Sequence, residues 1–209
     1  MGLWSRLFAR PPVAVRPDLV WMSTAAKLDA LRERTRVEAF SGGPVLLLAH
    51  FTDLLTPLQA IAATCEGSVQ ACLATPDAVH EAVDQIRGES AVEAAADQSA
   101  AESPLTIFVA ERHPLAAPDG AWLKSLRERA VHCEVTHFLS LDDALLATMV
   151  GDGLRELLRR MGMREDEVIE SRLVSRRVRD CQKKIEAAAT GDEPADSAAE
   201  WCLKNMRGG

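Results

Sequence analysis

The sequence predicts an α/β domain built on a parallel sheet of about four strands, followed by an α-helical extension. Short apolar runs alternate with stretches of helical periodicity over residues 18–140, which is typical of β-α-β units. The run PVLLLAH, residues 44–50, is apolar almost throughout, as in strands buried on both faces of a parallel sheet. From Leu141 onward the pattern is helical only.

The first half of the domain consists of alternating helices and strands. They are predicted in this order: a helix over residues 25–38, a strand at 44–50, a helix over 54–63, a strand at 69–73 and a helix over 76–88. Ser23 or Thr24 suits the N-cap of the first helix, and Thr52 or Asp53 that of the second. Gly88 is expected to end the third.

The second half begins with an acidic insertion. Residues 89–104 are rich in Ala and Ser and lack large apolar side chains, which predicts a mobile insertion or a weak helix. A strand at 105–110, a helix over 119–129 and a strand at 132–139 follow. The strand at 105–110 leads into Glu111, Arg112 and His113, three polar residues at a strand end. They are either a relict nucleotide or partner site, or an anchor for the next turn.

An amphipathic basic segment, residues 1–17, precedes the domain. Trp4, Leu7 and Phe8 share one helical face with arginines beside it, a combination that suits a membrane interface. The alternative is that one of these aromatic rings packs on the domain. The sequence has no stretch apolar enough for a signal peptide or a membrane span. We therefore expect a cytoplasmic protein, with peripheral contact at the inner membrane as the weaker alternative.

Composition narrows the classes of partner. The formal net charge of −7 argues against nucleic acid, because phosphate binding needs a basic surface. The five cysteines are scattered without a CxxC pair, which indicates free thiols in a reducing compartment. His132, Cys133 and His137 do not predict a metal site, because His132 points away from the other two on a strand. No cofactor is expected.

The C-terminal part, residues 141–209, is predicted to be a helical extension. Leu154, Leu157, Leu158 and Met161 form one apolar stripe, and Ser171 suits the cap of a longer helix. That helix carries its own stripe, made of Val174, Val178, Cys181 and Ile185. An uncovered apolar stripe tends to mark an interface, so this second stripe is the predicted partner surface. The alternative is that Trp201 and Leu203 of the last helix fold back over it. The basic stretch 172–184 is interpreted as a solvated helix face, and the alternative is a contact with RNA, anionic lipid or an acidic partner.

Several short segments of the sequence resemble segments of the SecA family, the bacterial preprotein translocase motor ATPases. DLVWMSTAAKLDAL, residues 18–31, resembles the segment that leads into the second nucleotide-binding domain of that family. The ERH at 111–113 and FLSLDDALL at 138–146 resemble later words of the same domain. The stretch 154–186 resembles the entry to the long scaffold helix. The resemblance implies a RecA-like, P-loop-type domain over residues 18–140 and a scaffold-like extension over 141–209.

The residues that serve ATP in that family are missing or replaced. A gapless alignment between the ERH and FLS words places the phosphate-binding arginines of the family on Leu123, Ser125 and Glu128. None of these side chains supplies the fixed positive charge that a transferring phosphoryl group requires. No G-x-x-x-x-G-K-[ST] sequence is present in the 209 residues. The resemblance therefore implies a degenerate ATPase module without catalytic residues.

These observations lead to one functional hypothesis and two alternatives. The hypothesis is a catalytically silent, SecA-like module that binds proteins, either translocase components or a second copy, in preprotein targeting or in modulating a motor. The first alternative is a subunit of an ATP-dependent translocase that is completed by a partner carrying the Walker loop. The second is an RNA-associated relict of a helicase-like domain.

Overall fold

The computed structural model describes residues 13–94, 104–147, 152–170 and 172–206. A seven-stranded sheet runs through these residues in the order β4-β3-β5-β6-β2-β7, with β1 beside the amino half of β6. All the pairings are parallel except that of β7 with β2. The strands are β1 (Val13–Val15), β2 (Leu19–Trp21), β3 (Val45–Ala49), β4 (Val69–Leu73), β5 (Leu105–Val109), β6 (Cys133–Ser140) and β7 (Ile169–Glu170).

The predicted α/β class is confirmed, and the sheet is compatible with a RecA-like domain. The prediction of about four strands is wrong, because β1, β2 and β7 add short strands at the far side of β6. These strands have three, three and two residues, which is too short for a recognisable apolar pattern. β1 also brings residues 13–15 of the predicted N-terminal segment into the sheet. Trp4, Leu7 and Phe8 lie outside the described residues.

Helices cover both faces of the sheet and its carboxyl edge. They are α1 (Thr24–Phe40), α2 (Thr52–Ala63), α3 (Pro76–Ala94), α4 (Ala116–Glu128), α5 (Ala144–Ala147), α6 (Asp152–Arg160), α7 (Arg172–Ala188) and α8 (Ala198–Asn205). Leu31 of α1 and Leu58 of α2 pack in the apolar core on one face. Val83 of α3 and Trp122 of α4 pack in the core on the other face. The body is therefore a three-layer α/β sandwich.

The helix ends agree with the sequence in some places and differ in others. Ser23 caps α1 as expected, with its Oγ accepting from the amide of Ala26 at 3.2 Å. Neither Thr52 nor Asp53 caps α2, because the N-cap is Phe51 and the Thr52 hydroxyl donates to Asp196 instead.

The third helix continues beyond its predicted end. α3 runs through Gly88 to Ala94, since one glycine inside a helix costs only about 1 kcal/mol relative to alanine. Part of the predicted insertion is therefore helical. Residues 95–103 lie outside the described residues.

A third apolar core joins the carboxyl edge of the sheet to the helical extension. Val20, Phe51 and Leu139 at the strand ends pack with Leu145 of α5, Val178 of α7 and Trp201 of α8. The extension is not wholly helical, because β7 pairs with β2 through Val20 and Ile169. A two-residue strand has no periodicity that a sequence could reveal.

The predicted partner surface on α7 is covered by the protein itself. Val178, Cys181 and Ile185 are buried, and Val174 packs against the same core. The prediction of an uncovered stripe is wrong, because the strand ends and Trp201 of α8 lie over it, and the alternative of a cover by the last helix is correct for Trp201. Leu203 has no part in the cover, since it is 85% exposed. In the stripe on α6, Leu158 packs on the core, whereas Leu157 and Met161 are exposed. Within the described residues, no helix is both apolar and long enough to cross a membrane.

Replacing Val178 by aspartate tests this burial. The side chain is fully buried, so Val178→Asp should lower the free energy of unfolding by about 3 kcal/mol or more, as for a charge placed in a core. Urea unfolding followed by circular dichroism measures the loss. Arg177→Asp, at an exposed position of the same helix, is the control and should change stability by less than about 1 kcal/mol. Equal, small losses in both variants would show that α7 is not packed on the body.

Candidate functional site

The candidate site lies at the carboxyl edge of the sheet. In open α/β sheets, ligands bind in the crevice outside the carboxyl ends of the parallel strands. In this protein that edge is formed by the residues that follow β2, β3, β5 and β6, which are 22–24, 50–52, 110–113 and 141–143. Polar and ionisable side chains gather there in two groups, one around Asp119 and one around Lys27.

The first group surrounds the carboxylate of Asp119 at the start of α4. Its Oδ2 accepts from Arg112 Nη1 at 3.1 Å and from Gln182 Nε2 at 2.8 Å. Its Oδ1 lies 2.6 Å from His50 Nε2 and accepts from the amide of His113 at 3.4 Å. These partners come from the end of β3, the end of β5 and the middle of α7. We call the residues of this group the Asp119 network: Asp18, His50, Arg112, His113, Asp119, His137 and Gln182.

Arg112 links Asp119 to a second buried carboxylate. Its Nη2 lies 2.6 Å from Asp18 Oδ1, just before β2. The backbone amide of Asp18 in turn receives support from α7, because it donates to Ser175 Oγ at 2.9 Å. Arg112 is therefore held between two carboxylates. A buried charge is stable only when it is paired and hydrogen-bonded in this way.

Burial and neighbouring charges shift the pKa of Asp119, His113 and His137. Burial raises the pKa of Asp119, but the close approach of His50 and the charge of Arg112 outweigh burial and hold that pKa well below its usual range. Burial, together with the nearby His50, lowers the pKa of His113 to about 4. Burial also lowers the pKa of His137, which is fully enclosed between the sheet and α4. At neutral pH, His113 and His137 are therefore uncharged beside an ionised Asp119.

Glu111 behaves in the opposite way. Its Oε1 accepts from the backbone amides of His50 and Phe51 at 3.1 and 3.2 Å. Burial raises its pKa to about 8; the charge of Lys27 opposes this shift, and those of Asp143 and Asp53 add to it. Glu111 is therefore mostly protonated at neutral pH, and it holds the turn between β3 and α2 without carrying a charge.

The second group is built on the lysine of α1 that faces the edge. Lys27 is fully buried, and its Nζ lies 2.6 Å from Asp143 Oδ1. The same carboxylate accepts from the hydroxyl and the backbone amide of Ser140 at 2.7 and 2.9 Å. A buried lysine at this edge could hold a phosphate, but here a carboxylate of the chain already neutralises it. Asp142 beside it accepts from the amide of Thr24 and pairs with Arg155 of α6.

The helical extension covers this edge with an aromatic stack. The ring of His113 stacks on Phe51 at a centroid distance of 5.1 Å and meets Trp201 of α8 edge-on at 5.5 Å. Trp201 is 1% exposed, and its indole nitrogen donates to Asp192 at 2.8 Å. Gln182 of α7 adds a hydrogen bond to the carbonyl of His113 at 2.9 Å. Side chains of the extension therefore fill the part of the crevice beside β3 and β5.

The structure brings together one set of residues named from the sequence and separates the other. Glu111, Arg112 and His113 all lie at the edge and are buried or nearly so, engaged with their own chain. The positions aligned with the arginines of the SecA family lie along α4 and do not converge. Leu123 is in the apolar core, the Ser125 hydroxyl donates to the carbonyl of Trp122, and Glu128 is exposed beside Lys124.

Sequence reasoning did not find most of the Asp119 network. From the sequence, Asp18 and Asp119 were only the first residues of predicted elements, and His50 was only the last residue of a predicted strand. Gln182 is 63 residues from Asp119, so no local pattern could pair them. Within the residues that the structure describes, no group of three or more His, Cys, Asp or Glu side chains is placed to hold a metal ion.

Comparison with known proteins finds a short similarity to SecA. The chain is 48% identical over 50 residues to proteins described as protein translocase subunit SecA from Stenotrophomonas maltophilia strain R551-3 and Xanthomonas campestris pv. campestris strain B100. The matched segment covers 24% of this chain and 6% of each relative. No family model matches the chain. A part of this chain is therefore SecA-like, and it corresponds to a small fraction of those relatives.

Removing the charge of Asp119 should destabilise the protein. Asp119→Asn leaves Arg112 with a single carboxylate partner and turns an acceptor into a partial donor. We expect a loss of about 3 to 5 kcal/mol in the free energy of unfolding at pH 7, as when a buried ion pair is broken. Asp29→Asn on exposed α1 is the matched control and should change stability by less than about 1 kcal/mol. Equal stability of the two variants in urea unfolding would show that the network is not a structural anchor.

The raised pKa of Glu111 gives a pH-dependent prediction. The protonated form stabilises the folded state below the ordinary carboxyl pKa of 4.5, and this contribution is lost as the pH rises through about 8. Glu111→Gln keeps an acceptor oxygen but cannot ionise. The stability of the original protein should therefore fall relative to Glu111→Gln between these pH values, by at most about 1.4 kcal/mol per pH unit. Urea unfolding across this range measures the difference, and parallel curves would show that Glu111 is already ionised in the folded protein.

Proposed function

We propose that this protein is a SecA-related module that works by binding other proteins in preprotein targeting or translocation, without hydrolysing ATP. The short SecA-like segment supports the link to translocation. The observation that carries the rest is the packing of Trp201 and Gln182 onto His113 at the carboxyl edge of the sheet. A nucleotide bound at that place would have to displace side chains that are buried and hydrogen-bonded.

The proposal assigns the parts of the chain by their counterparts in the SecA family. Residues 18–140 correspond to the second nucleotide-binding domain, with 89–104 as an insertion, and residues 141–209 correspond to the start of the helical scaffold. The parallel sheet with helices on both faces supports the first assignment. The docking of α7 on the carboxyl edge supports the second, because a scaffold helix gains stability by lying along a neighbouring domain.

In this proposal the polar residues at the edge have become structural. Arg112 pairs with Asp18 and Asp119, and Lys27 pairs with Asp143, so the cations that could meet a phosphate are already neutralised. The positions aligned with the arginines of the SecA family support the same conclusion. Leu123 lies in the apolar core, and Glu128 carries a negative charge. Phosphoryl transfer depends on positioned positive charge, and these residues do not supply it.

The partners in this proposal are proteins of the translocation system. The test is photo-crosslinking in cells of the organism that produces the protein. A photo-reactive amino acid replaces the exposed Leu203, and the control carries it at the exposed Glu81. Crosslinks from Leu203 to translocase subunits or preproteins would support the proposal. Crosslinks only to proteins unrelated to export, or to RNA, would contradict it. ATP hydrolysis that appears only when a captured partner is added would favour a subunit that is completed by its partner.

ATP binding gives the most direct check on the purified protein. We expect no hydrolysis of magnesium-ATP above buffer in a phosphate-release assay and no heat of binding in calorimetric titration. The reason is that the edge is occupied by the helical extension and its cations are paired with carboxylates. A micromolar dissociation constant, or turnover by the protein alone, would contradict the proposed loss of ATP chemistry.

A further inference from the structure

The outer side of α7 carries a row of unpaired cations. Among the described residues, these side chains are exposed and have no ion-pair or hydrogen-bond partner, and we call them the α7 basic face: Arg172, Arg176, Arg177, Arg179, Lys183 and Lys184. Most arginines elsewhere in the described part of the chain do form ion pairs, for example Arg16 with Glu134, Arg129 with Asp84 and Arg164 with Asp166. The contrast is notable in a chain whose formal net charge is −7.

The rotation of α7 is fixed, so this face points in one direction. Val178, Cys181 and Ile185 bury one side of the helix, and Gln182 bonds to Asp119 and to the carbonyl of His113. On the opposite side, four cations recur at i, i+4, i+7 and i+11, which places them in one straight row: Arg172, Arg176, Arg179 and Lys183. At 1.5 Å per residue the row is about 16 Å long.

The charges on this side of α7 are only partly balanced within the helix. Like charges at i and i+4 destabilise a helix by a few tenths of a kcal/mol per pair, whereas Asp180, four residues after Arg176, and Glu186, three residues after Lys183, supply opposite charge. The α7 basic face keeps a net positive charge, which an anionic partner would meet. Leu173 lies beside the row and is 72% exposed, which places an apolar residue at the surface next to the charges.

We propose that the α7 basic face binds an acidic amphipathic helix of a partner protein; this inference rests on the proposed function. Arginine forks pair with carboxylates in a bidentate geometry, and most of the face is arginine. A facing helix with Glu or Asp at the same i, i+4, i+7 and i+11 spacing would match the row and set an apolar residue against Leu173. A short helix meets only the local charge. An extended polyanion such as RNA, or an anionic bilayer, would also meet the negative charge of the rest of the chain.

The test uses the intact protein and a designed peptide. The peptide is a fluorescent, alanine-based helix with glutamates at i, i+4, i+7 and i+11 and one leucine beside them. Binding is measured by fluorescence anisotropy at two salt concentrations. The charge-reversal variant is Arg176→Glu with Arg179→Glu. The matched control is Arg32→Glu with Arg36→Glu on α1, which makes the same change in net charge at exposed positions. Circular dichroism and thermal unfolding check that both variants are folded.

The proposal predicts that the peptide binds, that salt weakens binding, and that charge reversal on α7 weakens it by roughly tenfold or more. The control should bind as the original protein does. A peptide with lysines in place of the glutamates should bind the α7 variant and not the original protein. Absence of binding, or equal binding to both variants, would overturn the proposal.

Two further probes separate the other anionic partners. They are a 20-nucleotide single-stranded RNA and vesicles that contain phosphatidylglycerol. If either binds the α7 basic face more tightly than the acidic peptide, the proposed partner class is wrong. If the acidic peptide does not bind but Leu203 still crosslinks to translocase subunits, only the inference about the α7 basic face is overturned. Peptide binding without any such crosslinks would instead contradict the proposed function.

Discussion

The carboxylate of Asp119 is the constraint on which the arrangement of this protein depends. A buried carboxylate is tolerated only when polar groups surround it. Here the donors come from Arg112, His113 and Gln182, and His50 Nε2 lies 2.6 Å from the same carboxylate. Each donor belongs to the end of a strand or to the helical extension. Satisfying one acceptor therefore sets the ends of β3 and β5, the start of α4 and the position of α7 at the same time. Arg112 extends the constraint to Asp18, just before β2.

That constraint also determines what the carboxyl edge can do. Once α7 is held by Gln182, α8 brings Trp201 against His113, and the crevice used for ligands in open α/β sheets is filled at that point. The charges left at the edge are paired or neutral: Lys27 with Asp143, and Glu111 protonated. The same docking turns the charged side of α7 outward. The docking of α7 therefore both fills the ligand crevice at the carboxyl edge and exposes the α7 basic face.

The sequence predicted those features whose signal is local. The apolar run at 44–50 and the β-α-β alternation were enough for the fold class, and the cap of α1 was narrowed to Ser23 or Thr24, of which Ser23 is the cap. The apolar side of α7 was also identified, with Trp201 named as one of its possible covers. The contribution of Phe51 was not, because Phe51 approaches this side only through the tertiary fold. A strand of two or three residues is too short to show an alternating pattern of apolar and polar residues. Asp119 and Gln182 are 63 residues apart, so the residues around either one could not predict their hydrogen bond.

Native-state hydrogen exchange of the intact protein is the most direct test of the central claim that the Asp119 network fixes the extension on the carboxyl edge. The account predicts that the amides in the middle of α7, around Gln182, exchange as slowly as those of β5, because both open only when the body unfolds. The amides of α8 around Trp201 should follow. Fast exchange in α7 and α8, with β5 still protected, would contradict the account, because the extension would then leave the edge without unfolding the sheet.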